Sequence, residues 1–275
     1  MSSINIQYTK VPSSSYSQQT LGDNSGTRIE TDQIRLEPWL LERDAPLLWE
    51  LYKDHPELFT YMPHGQLHSY EDFYKHQSYF FSIKDYWVNW VCYVSAHPTK
   101  TGEAKKWVPC GQIALLDISL PHRRFEVGAI WLNPSVHGTF VMVEMTYAVL
   151  RFAFERLQAG RVQWKTHHNN MASQKSAIKL GFSPEGVYKK HMIDASGHWR
   201  HSYYYSMMDD DWFGREETTD GQSGLDVATV GAAVALQQAS AAPRGRQQQL
   251  EETIARRKKE GKALPEGIAL GQPLA

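Results

Sequence analysis

The stretch of this 275-residue chain best equipped for chemistry runs from Phe125 to Leu157: a strand, FEVGAIWL, the loop NPSVHGT, and a long helical pattern, FVMVEMTYAVLRFAFERL. A strand that runs straight into a helix leaves the first-turn N–H groups without intrahelical acceptors, and the helix dipole favours negative charge there. One reading is therefore an anion site, most often for phosphate. The other is an ordinary strand-loop-helix connection punctuated by Pro134 and Gly138. Adjacent His167 and His168 invite a metal, but neighbours on a strand point to opposite faces and no carboxylate or third His is placed to join them. No metal centre is expected. Cys92 and Cys110 lack metal-ligand spacing and are too few for a disulfide framework, which makes a reduced compartment the default.

The elements that must position these residues follow from periodicity. Residues 1–32, rich in Ser, Gln, Thr and Gly, read as a flexible lead-in. A short strand covers Gln33 to Trp39, and Asp44 is the N-cap expected for a helix over APLLWELYKD. Pro63 and Gly65 break the chain, and Ser69 with Asp72 forms an approximate capping box for a second helix through about Phe81. WVNWVCYVSA, apolar on both faces, then a polar hairpin loop HPTKTGEAKKW, then CGQIALLDIS and FEVGAIWLN give three strands paired as a meander. The helix after Gly138 is apolar almost all round and belongs in a domain's centre. RVQWKT is a strand, and NNMASQKSAIKLGF a helix with Asn169 or Asn170 as N-cap and Gly181 at its end. VYKKHMI and HWRHSYYYSMM are strands joined by the turn DASG. The order β-α-α-β-β-β-α-β-α-β-β describes one mixed α/β domain over residues 33–212. Residues 213–275 read as a low-complexity tail, partly helical or disordered, with VATVGAAVALQQA and RQQQLEETIARRKKEGK as its helical segments and no second core. Its basic run, Arg256 to Lys259, is either a nuclear-import patch or a solvated helix end.

Composition narrows the function classes. With 41% hydrophobic and 12% aromatic residues the chain can build a substantial core. Twenty-nine basic against 30 acidic residues argue against a general nucleic-acid or membrane-surface binder. The first residues lack the apolar core of a secretory signal, and no run approaches the ~20 apolar residues of a membrane span. The expected location is the cytoplasm, with the nucleus not excluded.

The ordered strings YMPHG, FEVGAIWLNP, GTFVMVE, WKTHHNNMASQKSAIKLGFSPEGVYKKHMI and GHWRHSYYYSMMDDDW span Gln33 to Trp212 and resemble the GNAT (N-acetyltransferase) superfamily, in particular its RimJ/RimL-type branch. The most specific of them is the run from Asn170 to Gly186. The resemblance implies a central, mostly antiparallel sheet flanked by helices, with the fourth and fifth strands splayed apart. It implies acetyl-CoA as co-substrate and direct acetyl transfer to an amine, without metal or covalent intermediate. The pantetheine chain would run along the backbone of Ile130, Trp131 and Leu132. The pyrophosphate would sit on the N–H groups from Val136 to Val141, that is Val136, His137, Gly138, Thr139, Phe140 and Val141, with His137 and Thr139 adding side-chain contacts. The superfamily's Q/R-x-x-G-x-G/A aligns with Ser135, Gly138 and Phe140, so only the middle glycine is kept, and a Phe at the last position must turn its ring away or narrow the site.

Amine acetylation needs a base, an oxyanion donor and a proton for the departing thiolate. By resemblance Glu126, beside the thioester end, is the candidate base, with a structural carboxylate as its alternative. Ser173 is the candidate acid, near the expected sulfur and after the candidate cap Asn170; its alternative is a capping or pantetheine-contact hydroxyl. Many relatives use a tyrosine on this helix, and none lies between Asn169 and Gly181. His191 is a weaker candidate base. Trp199, Tyr203 and Tyr205 either line an aromatic acceptor pocket or pack on a helix. Arg200-His201 replaces the relatives' usual Arg-Asp. The expected acceptor is a small-molecule amine, an amino-acid-like metabolite or a protein N-terminus, with no membrane or nucleic-acid partner and a homodimer through exposed final strands. The altered loop and missing tyrosine motivate the alternative, a degenerate GNAT-fold module that binds acyl-CoA or a partner without turnover.

Overall fold

The computed structural model describes residues 4–11, 21, 26–82, 87–95, 105–215 and 245–260. Strands β1 (Gln7–Lys10), β2 (Thr27–Glu30) and β3 (Ile34–Pro38) precede helices α1 (Leu41–Tyr52) and α2 (Tyr70–Ser82). Then come β4 (Val88–Ser95), β5 (Trp107–Ser119), β6 (Arg124–Leu132), α3 (Val141–Arg151), β7 (Arg161–His167), α4 (Met171–Lys179), β8 (Ser183–Ile193) and β9 (Trp199–Met208). Two helices, α5 (Asp209–Phe213) and α6 (Arg246–Glu260), close the described chain. The strands form one nine-stranded sheet among the described residues, in the order β1-β2-β3-β4-β5-β6-β7-β9-β8. Every neighbouring pair is antiparallel except β6 and β7.

That parallel pair is where the sheet opens. β6 and β7 are in register only through Arg124↔Arg161, Phe125↔Val162 and Glu126↔Gln163. Beyond Glu126 the register of β6 on β5 shifts between Gln112 and Ala114, and Ala129 takes a left-handed φ of 48°. Such a bulge bends its own strand and increases local twist. β6 therefore stays with β5 through Leu132 while β7 stays with β9 through His167, and a wedge separates them. This is the expected splay of the fourth and fifth strands, numbered here as the sixth and seventh.

The residues around the domain depart from the sequence reading. The lead-in 1–32 includes β1 and β2, which extend the sheet at its β3 edge. The tail includes α6, whose Leu250 and Ile254 are buried in the main core beside Trp212. Both segments meet at one group. Glu144 in α3 is fully buried; it accepts the Thr31 hydroxyl at 2.6 Å, and the Lys258 ammonium of α6 lies 2.8 Å away. A buried carboxylate needs such partners, so the residues satisfying it are part of the fold. No apolar periodicity advertises that need. VATVGAAVALQQA and most of the hairpin loop HPTKTGEAKKW lie outside the described residues.

Local capping follows the sequence with one correction. Ser69 and Asp72 bond as a capping box starts, the Asp72 amide to Ser69 Oγ at 3.1 Å. Asp44, expected as an N-cap, is the fourth residue of α1: its carboxylate reaches back to accept the Leu40 amide at 2.7 Å and pairs with Arg43. The helix thus begins four residues earlier than the cap pattern placed it. Cys92 and Cys110 are buried free thiols on β4 and β5. No helix among the described residues is long and apolar enough to cross a membrane.

Candidate active site

The wedge between β6 and β7 is a cleft of about 450 Å³, walled by Gly128 to Leu132, Val136 to Gly138, Trp164 to His167 and the first turns of α4. Backbone alternation decides which β6 groups face it. The Asn133 amide bonds Cys110 O on the β5 side, and the Trp131 carbonyl is turned onto Gly111 of β5. Ile130 and Leu132 therefore present their polar groups to the cleft, as expected, whereas Trp131 presents its ring. Its backbone is not available to a ligand. The Leu132 carbonyl already accepts from His137 Nε2 at 2.9 Å, so His137 serves the loop's own geometry and not a phosphate.

The loop before α3 is partly self-satisfied. Asn133 Oδ1 accepts the Ser135 amide at 3.1 Å, and the amides of Val136, His137 and Thr139 bond Asn133 O, Pro134 O and Val136 O. The Thr139 hydroxyl donates to Val136 O at 2.7 Å and accepts the Val141 amide at 3.2 Å, which makes it a buried cap. Of the six amides expected to hold pyrophosphate, those of Gly138 and Phe140 have no intramolecular acceptor among the described residues. Gly138 holds φ at 78° with open space where a Cβ would sit, the conformation that favours glycine. Phe140 is buried in the core with Lys258 over its ring, so it turns away and leaves the loop unobstructed.

Across the cleft, Asn170 caps α4, its side chain accepting the Ser173 amide at 3.0 Å. Ser173 is not the cap. Its hydroxyl accepts Trp164 Nε1–H at 3.0 Å and lines the cleft, which leaves the hydroxyl proton available to donate.

A second, largely apolar cavity of about 400 Å³ lies on the other side of the parting strands and shares Gly128, Ala129, Trp131, Lys165 and Arg200 with the first. Glu126 lines it at the point where β6 and β7 separate. Glu126 is buried, and Lys165 Nζ lies 2.6 Å from Oε2 and also contacts Asp117. Burial raises the Glu126 carboxyl to about 7, with Lys165 opposing the shift and Asp117 adding to it. Asp117 goes the other way: burial is outweighed by the Lys165 ammonium, which holds its carboxyl below the usual range. Two adjacent carboxyls thus have their pKa values pushed apart, an arrangement typical of acid–base sites.

His191 stands in the same cavity, with Nδ1 2.9 Å from Ser202 Oγ and Nε2 3.1 Å from the Tyr204 hydroxyl. Burial, then the charges of Lys165 and Arg200, lower its pKa. His64 and His76, rings 3.7 Å apart, are lowered by burial to about 4 and about 3 and are neutral at pH 7. Buried Arg200 reaches the Tyr61 carbonyl at 3.4 Å. Of the two readings of Trp199, Tyr203 and Tyr205, an aromatic pocket or packing, the pocket does not form and packing holds for the two tyrosines. Tyr205 is core and Tyr203 packs against it, Trp199 is exposed, and the cavity face of β9 carries Arg200 and Ser202. His167 and His168 stack at 4.3 Å because β7 ends at His167, which removes the strand alternation. No group of residues that could hold a metal ion occurs among the described residues.

Lys165, Asp117 and Ser202 were not singled out from sequence, and Arg200 was noted only as part of the Arg200-His201 pair. Lys165 carried no signal of its own, because with Arg161 and Gln163 it reads as the polar face of an alternating strand, RVQWKT.

A family model described as an acetyltransferase (GNAT) domain matches residues 33–183, more than half of the chain. The chain belongs to the GNAT acetyltransferase family. Its relatives include the uncharacterized N-acetyltransferase YnaD of Bacillus subtilis (strain 168), 26% identical over 88 residues, or 32% of this chain and 51% of YnaD. The chain thus spans about half the length of that curated relative. Among solved GNAT-fold structures, Mycobacterium smegmatis RimJ in complex with CoA-disulfide superposes with a TM-score of 0.51 at 18% identity, covering 64% of this chain and 81% of RimJ. A Salmonella typhimurium acetyltransferase that modifies the N-terminal serine of 50S ribosomal subunit protein L7/L12 gives 0.53 at 20% identity, covering 64% and 95%. The mostly antiparallel sheet with one splayed parallel pair is therefore the GNAT sheet, extended here by β1 and β2.

Proposed function

We propose that the protein is an acetyl-CoA-dependent N-acetyltransferase that moves the acetyl group directly to an amine. The observation that carries this reading is Glu126, a buried carboxyl raised to about 7 that lines the second cavity, two residues before Gly128, which both cavities share. One cavity offers strand polar groups at Ile130 and Leu132 and the free amides of Gly138 and Phe140, which suit a pantetheine chain ending in pyrophosphate. The bound co-substrate supplies an activated thioester. Glu126 takes the proton of the incoming ammonium, directly or through one water, and the neutral amine attacks the thioester carbon. The Ile130 N–H, the nearer of the two strand donors to Glu126, is the candidate donor to the carbonyl oxygen on which negative charge develops, while Leu132 serves the pantetheine chain. As the C–S bond breaks, the Ser173 hydroxyl donates its proton to the leaving sulfur and regains one, through water, from the newly acylated nitrogen, while Glu126 returns the first proton to solvent. Lys165 holds the Glu126 carboxylate in position, and the apolar walls around Trp131 and Met62 limit water.

The acceptor in this reading is a protein N-terminus in the cytoplasm, supported by the RimJ-type and L7/L12-modifying neighbours in fold. The edge strand β8, with Val187 and Tyr188 exposed, offers a second copy a pairing surface. Thiol release from acetyl-CoA, followed across peptides with a free N-terminus, N-blocked lysine peptides and small amines, tests the function. Saturable release that requires the free α-amine is expected. Binding of acetyl-CoA with no amine-dependent release would instead mark a binding module.

A further inference from the structure

Of the basic run of the tail, Arg256 to Lys259, Arg256 and Lys259 are exposed as at a solvated helix end, whereas Arg257 and Lys258 turn to the domain. Helix α6 packs against α3 and α5, behind the loop that ends the candidate acetyl-CoA cleft, and is fixed at three points. Arg246 packs against Gly181 beyond α4, Leu250 and Ile254 are buried, and Lys258 binds Glu144 with its ammonium over the Phe140 ring. This brings Arg257 Nη1 to 2.9 Å from the carbonyl of Thr139, between the two free amides of the loop and the start of α3. Lys179, one helical turn after Ser176 of the cleft wall, faces the same place. The charges of Arg257 and, less strongly, Arg256 hold its ammonium below the usual lysine range. Arg257 at the loop, exposed Arg256 next to it in sequence and Lys179 at the end of α4 thus bring three cations toward the loop end of the cleft, and no ion-pair partner is found for them among the described residues. Like charges held together by a docked helix oppose folding unless an anion joins them.

We propose that Arg256, Arg257 and Lys179 form the subsite for the 3′-phosphate of CoA, so that a helix outside the family domain completes the co-substrate site. The inference rests on the proposed acetyl-CoA reading. The cleft sets the order: thioester at Glu126, pantetheine along β6, pyrophosphate at Gly138 and Phe140, and the next phosphate beyond the loop, where the cations stand. Guanidinium groups suit it because they can donate paired N–H groups to phosphate oxygens.

The test is calorimetric binding of CoA, 3′-dephospho-CoA and pantetheine to the full chain, to Arg256→Ala with Arg257→Ala, and to Lys179→Ala. Lys179→Ala changes an exposed α4 side chain and keeps the test valid should the double variant unfold. The wild-type chain is expected to bind CoA about tenfold more tightly than dephospho-CoA, with a steeper salt dependence. The double variant should lose that preference and Lys179→Ala should reduce it, while dephospho-CoA affinity stays within about twofold. Equal wild-type affinities for CoA and dephospho-CoA, or a preference intact in both variants, would overturn the subsite and leave the acetyltransferase reading standing. Absence of binding by all three ligands to the wild-type chain would overturn both.

Discussion

Replacing Glu126 by Gln is expected to lower kcat/KM about a thousandfold, the usual scale for loss of a positioned base. The pH dependence separates this from a structural effect. In the wild-type chain the rate should rise with pH through a limb near 7, where the buried Glu126 carboxyl ionises, in addition to a limb from the acceptor's own amine. The Gln variant should keep only the acceptor's limb. Stability should move in the opposite sense. Glu126 has its folded value raised from 4.5 to about 7, so the unfolded chain ionises first as pH rises. Below about 4.5 both states hold the proton and the residue is neutral to stability. Between 4.5 and 7 its ionisation increasingly opposes folding, by an order of about 3 kcal/mol above 7. The Gln variant should therefore gain on wild type in Tm as pH rises across that window. A variant that loses activity yet keeps the limb near 7 would return Glu126 to the role of a structural partner for Lys165.

Gly111→Ala is expected to be the most damaging single-methyl change near the site. A Cβ on Gly111 would be driven into the Trp131 carbonyl oxygen and would lie 2.9 Å from Leu132 Cα and Cδ2. Two of those three obstacles are backbone, so relief requires β6 to move off β5, and β6 carries the bulge that opens the cleft. Overpacking of this kind costs about 3 kcal/mol, read as a lower urea midpoint at unchanged slope. Acetyl-CoA affinity should fall with it because Ile130 and Leu132 are displaced. A midpoint within about 0.5 kcal/mol of wild type would show that β5 and β6 part more easily than this packing implies.

Much of this architecture was legible in the sequence, and the failures share a cause. Period and caps marked β3 through β9 in order, because apolar alternation and residues such as Asn170, Ser69 and Gly181 act locally. Glu126 and Ser173 were reachable by resemblance, and the structure places both along the parting of β6 and β7. What stayed hidden depends on contacts between distant residues. The partnership of Lys165 with Glu126 and Asp117 joins three strands. Thr31 and Lys258 meet on Glu144 from opposite ends of the chain, so neither end announced itself as part of the domain. Phe140 looked like an obstruction in a glycine loop because only the fold shows its ring turned to the core.

The central claim is that the wedge between β6 and β7 delivers a thioester to Glu126. A crystal structure with CoA bound tests it most directly. The predicted result has the pantetheine amides bonded to the polar groups of Ile130 and Leu132, pyrophosphate on the Gly138 and Phe140 amides, and the sulfur where the two cavities meet, leaving about 3.5 Å between the thioester carbon and an amine held by Glu126. CoA bound outside this wedge, or bound within it with its sulfur at the end away from Glu126, would contradict the account.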